Sequence, residues 1–543
     1  MSMRPLVFLP IIAVTAVLAG CATHAPAPAQ KNTDESLSAL AQKLHSPQLM
    51  AQVLLKQARE KKDPDRATQA AIYAFKAGDD ALAGQAADTL AQLQPDSPVP
   101  ALIHFRVALD KADLPSAEKA AEKLFTAGGA RAIYQVSDGD FDDWYVYAVM
   151  RKLSAAHPED AELTQLLAQT ALSAGDSDAA LAAARKAVAA GLDDLMMQIV
   201  QMQAEWDLGQ RKAALARGAK VLAAHSHDEV FRALYAGLLI RANDYAHAQS
   251  VLDDGAALDP GNLHINLAYV LLEQARGKDK AAHKRLTQLL EHGSTNSSVY
   301  YLLGQSAAAR GDWSQAFVWY ASANDDSSSQ VAAAVALRHW KGLDAAQGFL
   351  NKLKQHVPGL TPLWIATEAS LIDDDGDSDL AYTMLDAAVE RYPVVRPLRY
   401  QRALLADKLN KPQVALATLK HLIAVEPGNA EYLNAYGYVL TEHTRRYSEA
   451  YGYIRHALDA HPDDPAILDS AGWVLYKLGK PEQALGYLKR AHEGVEDATV
   501  AVHLATVYLA LGRKADADKL IKAALARSPH NADLKRLQQR ASQ

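Results

Sequence analysis

The stretch DPAILDSAGWVLYKLGKPEQALGYLKRA, residues 464–491, holds two helix signals joined by a short turn. Ile467, Leu468, Ala471, Leu475 and Leu478 recur at helical spacing and mark one apolar stripe. Asp464 is placed to cap the first helix, and Pro465 suits its first turn, where a missing N–H costs nothing. Gly479 can take the left-handed conformation that stops a helix, and Pro481 suits the start of the next. Ala484, Leu485, Leu488 and Ala491 form the second stripe, and small residues at 471, 472, 484 and 491 let the two backbones approach closely. Such a pair cannot bury its stripe alone, so copies are expected elsewhere in the chain.

Stepping from Ala484 by about 34 residues finds them. Equivalent small positions fall at Ala83, Ala117, Val146, Ala180, Ala214, Ala248, Ala282, Ala316, Ala346, Ala381, Ala415, Ala450, Ala484 and Ala517. Twelve residues after these anchors, Pro occurs at eight of the fourteen positions (95, 158, 260, 358, 393, 427, 462 and 529), where chance gives about 0.6. Five residues before them, Gly occurs at 78, 175, 209, 277, 311, 376, 479 and 512, with Asn243 and Asn410 filling two more slots. Gly and Asn are the residues that tolerate a left-handed turn. The repeated unit resembles the tetratricopeptide repeat, which implies an all-α, right-handed superhelical solenoid of helix pairs over residues 63–543 with a capping helix at its end. Two short steps, 29 residues to Val146 and 30 to Ala346, predict distorted repeats near 118–150 and 317–345. The Ala415–Ala450 step carries one extra residue, assigned to the turn TEHTRRYSEA.

The beginning of the chain reads differently. Arg4, an apolar run from Leu6 to Leu18 and the tetrapeptide Leu18-Ala19-Gly20-Cys21 describe a secretory signal over residues 1–20. The tetrapeptide resembles the lipobox of bacterial lipoproteins. That resemblance implies that Cys21 is lipidated, and Ala22 after it points to the outer membrane facing the periplasm. Residues 21–36 read as the acylated Cys and a Pro/Ala-rich tether. Residues 37–62 read as helices that cover the first repeat: Leu37, Leu40 and Leu44 lie on one face, Pro47 breaks the run, and a second segment covers about 49–60.

Half of the residues are hydrophobic and the formal charge is −7, with no basic stripe, so nucleic-acid binding is not expected. One Cys excludes an internal disulfide framework. There is no HExxH, GxxxxGK[ST] or GxSxG, and the nineteen His are scattered. The run DDDGDSD at 373–379 suggests calcium, but an EF-hand starting at Asp373 needs Gly and Glu where Ser378 and Met384 stand. No catalytic residue, metal or cofactor is therefore expected. The basic C-terminal helix, with Lys519, Lys522, Arg527, Lys535, Arg536 and Arg540, reads as a solvated capping face.

What remains is surface. On the tetratricopeptide pattern the first helix of each pair lines the inner face. It places Ala466, Asp469, Trp473, Tyr476 and Lys477 there, then Glu431, Asn434, Tyr438 and Thr441 from the preceding pair, and Tyr400, Leu404 and Asp407 one pair earlier. Tyr400, Asn434, Tyr438, Asp469, Trp473 and Tyr476 are the candidate protein-binding groove, with Asp469, Trp473 and Tyr476 expected to be spare for an extended peptide. The lipobox, the tether, the array and the run from Asn434 to Leu485 together resemble the lipoprotein adaptors of periplasmic carboxyl-terminal processing proteases. The resemblance implies a non-enzymatic adaptor that binds and activates the protease and presents substrates such as cell-wall hydrolases. The alternative is a structural scaffold for envelope assembly or polysaccharide export.

Overall fold

The computed structural model describes residues 46–111, 113–137, 143–323 and 326–541. These form 29 α-helices, a short 3-10 turn at Pro358–Leu360 and, among the described residues, no strand. The signal segment, Cys21, the tether and the stripe of Leu37, Leu40 and Leu44 lie outside the described residues. No described helix is long and apolar enough to cross a membrane.

Helix Pro465–Lys477 starts and stops where its residues dictate. The Asp464 carboxylate accepts from the backbone N–H groups of Ala466 (2.9 Å) and Ile467 (3.0 Å), and Pro465 sits in the first turn. Gly479 has φ 76°, after which helix Pro481–Gly494 returns antiparallel to the first. Gly472 shows why small residues are needed between them. A Cβ there would lie 2.5 Å from Leu488 Cγ and 3.1 Å from the Ala484 carbonyl oxygen.

The same logic runs along the array. All fourteen anchors are buried, Val146 being the most exposed at 4%. All ten Gly and Asn residues five positions upstream have positive φ, from 55° at Asn410 to 104° at Gly376. Each of the eight prolines stands two residues after the end of a second helix, as Pro427 follows Pro412–Val425 and Pro462 follows Tyr447–Ala460. The chain is thus an all-α solenoid of tetratricopeptide-type helix pairs. Its core is a strip of Ala, Leu and Ile between the two helices of each pair and the next pair, as in Ala415, Leu419, Leu440, Ala450, Ile454 and Ala471.

The irregular steps have local causes. In the first, helix Leu114–Ser137 breaks at Gly129 (φ 71°, ψ −172°), so a second and a following first helix run together across a kink. In the second, Trp313–Ser322 has only 10 residues, and helices Ser327–Lys341 and Leu343–His356 are joined by Gly342 alone (φ 90°). The extra residue before Ala450 lies in the helix rather than the turn. Ala430–His443 has 14 residues where Pro465–Lys477 has 13, and both are followed by three linking residues.

The described chain divides into two compact units. One comprises Ala171–Leu350 with Ile365 onward, and the other the described residues up to Thr170 with Asn351–Trp364. The latter opens with helix Pro47–Lys61, capped by Ser46, whose Met50, Ala51, Leu54 and Ala58 join the core of the first repeats. In the same unit helix Val99–Asp110 meets the 3-10 turn Pro358–Leu360, and Trp364 is buried with its Nε1–H donating to the Val357 carbonyl. The other unit ends in Ala532–Ala541, which buries Leu534 and Leu537 against the last pair. The basic residues near that end are partly paired: Lys522 with Asp518 (2.6 Å), Arg536 with Asp533 (3.3 Å) and Arg527 with Glu496 (3.4 Å).

Candidate protein-binding groove

The first helices of four successive pairs, Arg396–Lys408, Ala430–His443, Pro465–Lys477 and Ala498–Ala510, touch one another in order and form a continuous layer. Each packs its apolar stripe against its own second helix, which leaves another face directed away from that partner. The polar and aromatic side chains of this face meet those of the next first helix about one repeat away.

Trp473 is held on several sides. Its ring stacks on His503 (centroids 4.0 Å apart, 13° between planes) and on Tyr476 (5.2 Å, 21°). Its Nε1–H donates to Glu442 Oε1 at 2.6 Å, and the Lys477 ammonium lies 4.6 Å from the ring centroid. Asp469 is buried, with both carboxylate oxygens at 2.9–3.0 Å from His503 Nδ1. Asp469 and Trp473 are therefore engaged inside the array rather than spare, because the following helix supplies His503 beneath them and the preceding one supplies Glu442. Tyr476, Tyr438, Asn434 and Tyr400 are only half-buried.

Tyr438 stands among carboxylates. Burial pushes its phenol pKa up, and the negative charges of Glu442, Asp469, Asp407 and Asp497 add to the effect. Tyr400 is raised by burial and then by Glu431 and Asp464, and its ring lies 5.2 Å from that of Tyr432. Asn434, one helical turn before Tyr438, has a side-chain oxygen that is buried without a hydrogen-bond partner among the described residues. The pKa of Glu431 is raised by burial and by the neighbouring Asp464 charge, although the residue keeps exposed surface. Burial raises Asp407 as well, against the opposing pull of His443.

A ladder of ionic and hydrogen-bonded pairs ties the C-terminal ends of successive first helices together, starting from helix Thr361–Asp374. Lys408 Nζ meets Asp373 at 2.6 Å, His443 Nε2 meets Asp407 at 2.8 Å, and Lys477 Nζ meets Glu442 at 3.7 Å. Each partner lies 35 or 36 residues from the other, close to one repeat. Sequence reasoning missed Glu442, His443 and His503 because it took each helix by itself. Pairing acids with bases one repeat away would have found all three. The turn 373–379 holds no candidate cation cluster: Asp373 accepts from Ser378 and Lys408, and Asp377 caps helix Ser378–Arg391. Among the described residues there is no group of three or more His, Cys, Asp and Glu placed to hold a metal ion.

Residues 400–465 and 475–541 each match a family model described as tetratricopeptide repeat. A TPR repeat-containing protein of Pseudomonas aeruginosa is 34% identical over 210 residues, which is 38% of this chain. The match covers only 36% of that relative's length. Similar solved structures include a chain of the APC/C hetero-tetramer (16% identity, TM-score 0.37, covering 94% of this chain and 97% of that one). Another is a tetratricopeptide repeat protein from Parabacteroides merdae (15% identity, TM-score 0.36, 46% and 100% coverage). A thermophilic TPR protein of Thermus thermophilus gives 23% identity, TM-score 0.31, and 33% and 98% coverage.

Proposed function

We propose that this tetratricopeptide-repeat chain is a non-enzymatic adaptor, anchored through an acylated Cys21 to the outer membrane and facing the periplasm. On this reading it binds and activates a carboxyl-terminal processing protease and presents protein substrates to it, among them cell-wall hydrolases. The observation that carries the binding role is the inner layer of four first helices. Tyr400, Asn434, Tyr438 and Tyr476 are only partly buried along it, over a floor that Asp469 and Trp473 hold in place. Aromatic rings give contact area to an extended segment, and an amide side chain such as that of Asn434 can hydrogen-bond a peptide backbone. Tethering on one membrane raises the effective concentration of protease and substrate for each other. The lipid anchor rests on the residues Leu18-Ala19-Gly20-Cys21.

The test is purification of the full chain from detergent-solubilised envelopes after chemical crosslinking. Recovery of a processing protease with the chain, and accumulation of cell-wall hydrolases when the chain is deleted, support the adaptor. Consistent absence of any protease together with unchanged hydrolase levels turns the reading toward an envelope scaffold.

A further inference from the structure

Within the unit containing Ala171–Leu350 and Ile365 onward, two stretches more than 200 residues apart meet along a charged seam. Asp176, which caps helix Ser177–Ala189 through the Ala179 N–H, also faces the Arg396 guanidinium at 3.5 Å. Arg396 is in turn ion-paired with Glu426, and all three side chains are at most 10% exposed. Beside them the Gly428 backbone lies so close to Asp178 that a Cβ would fall 2.1 Å from its Oδ2. One repeat further along both strands of the seam the contact recurs. The Gly209 backbone abuts the Ala460 carbonyl, and Arg211 Nη1 reaches Asp463 Oδ2 at 3.1 Å. Asp463 is also held by Arg490 at 2.8 Å.

The register is constant. Asp176 precedes the anchor Ala180 and Glu426 follows the anchor Ala415; Gly209 precedes Ala214 and Ala460 follows Ala450. In both cases the anchors are seven repeats apart. The turn between the two helices of one pair therefore sits on the loop that leaves the pair seven repeats later. Gly261 fills the same slot of another loop with only its own loop's Asp259 nearby, so the close approach at Gly428 belongs to the seam and not to the loop type.

The chemistry of this seam differs from that of the array. Neighbouring pairs are joined by buried Ala, Leu and Ile, whereas the seam joins caps and loops through charges. Charges drawn apart regain hydration, so the seam is where this unit can open without unfolding a helix pair. We propose that Asp176, Arg396 and Glu426, with Arg211 and Asp463, form an ionic clasp that holds the rungs seven repeats apart. Loss of the Asp176 charge releases them and changes the spacing of the inner face while every helix pair stays folded. The clasp is independent of what the groove binds.

The full chain carrying Asp178→Cys and Gly428→Cys tests this. A Cβ at 428 lies 3.1 Å from the atom that the sulfur at 178 replaces, a separation that a disulfide spans. Mild oxidation is expected to join 178 to 428 within one chain in most molecules, as read by peptide mass spectrometry. Adding Asp176→Asn, which removes the charge while keeping an efficient helix cap, is expected to lower that yield several-fold with unchanged far-ultraviolet circular dichroism. Without the cysteines, Asp176→Asn and Arg396→Met are each expected to enlarge the radius of gyration in solution scattering. A helical double-cysteine protein that forms no 178–428 disulfide overturns the proposal. So do equal yields with and without Asp176, or scattering profiles that superimpose for all three proteins.

Discussion

Replacing Trp473 with alanine removes a side chain that is only 9% exposed, stacked on His503 and Tyr476 and donating to Glu442. Truncating a buried Trp costs about 3–5 kcal/mol. The lost hydrogen bond adds little, because Glu442 keeps Lys477 and solvent. In a repeat array this loss falls on the mutated pair and its neighbours rather than on the whole chain. The assay is native-state hydrogen exchange with peptide resolution. Amides of helices Pro465–Lys477, Pro481–Gly494 and Ala498–Ala510 are expected to exchange about two to four decades faster, while helices before residue 360 are unchanged. Tyr476→Ala, at a half-buried position, is expected to cost about 1–2 kcal/mol in the same region. Exchange at 465–510 that stays at wild-type rates in Trp473→Ala refutes the argument that this ring is a structural floor, and returns Trp473 to the role of a free contact residue.

Other substitutions probe separate links in the account. Gly472→Ala forces a Cβ to within 2.5 Å of Leu488 and is expected to destabilise by about 1–3 kcal/mol, read as a lower urea midpoint for the C-terminal repeats. Gly486→Ala, where nothing lies within 4 Å, is expected to be neutral or slightly stabilising in the same titration. Glu431 binds its proton more tightly folded than unfolded, so the wild-type chain gains stability as pH falls through its raised pKa toward the ordinary value of 4.5. Glu431→Gln is accordingly expected to be at least as stable as wild type at pH 7.5 and to lose that advantage by about pH 4.5, measured by paired urea midpoints; an advantage that grows on acidification contradicts the assignment. Tyr438→Ala is expected to leave helicity intact and weaken partner capture severalfold in a pull-down from envelopes, since the ring is half-buried and stands among the carboxylates of Glu442, Asp469, Asp407 and Asp497.

The architecture was legible because each helix pair repeats the same local demands. Gly479, Gly376 and Asn410 announce a left-handed turn, Pro427 and Pro462 announce the exit of a second helix, and Ala415, Ala450 and Ala484 mark the close approach. The irregular steps were legible from their lengths, whereas the kink at Gly129 and the single linking residue Gly342 emerge from the structure. The site was legible only by face. Helical spacing assigns Tyr400, Asn434, Tyr438, Trp473 and Tyr476 to one face of the first helices, but how free a side chain is depends on what the next repeat presents to it. His503 covers Trp473 and pairs Asp469 from about one repeat away, and no pattern within helix Pro465–Lys477 encodes that. The Asp176–Arg396 contact is further still from local reasoning, because it depends on small rotations accumulated over seven helix pairs.

Site-specific photocrosslinking in intact envelopes tests the central claim most directly. A photoreactive residue in place of Tyr438, on the inner face, is compared with one in place of Leu380, 49% exposed on helix Ser378–Arg391. The account predicts that Tyr438 captures a processing protease or one of its substrates and that Leu380 does not. Capture from Leu380 alone, or no protein captured from Tyr438 in cells that contain the protease, contradicts it.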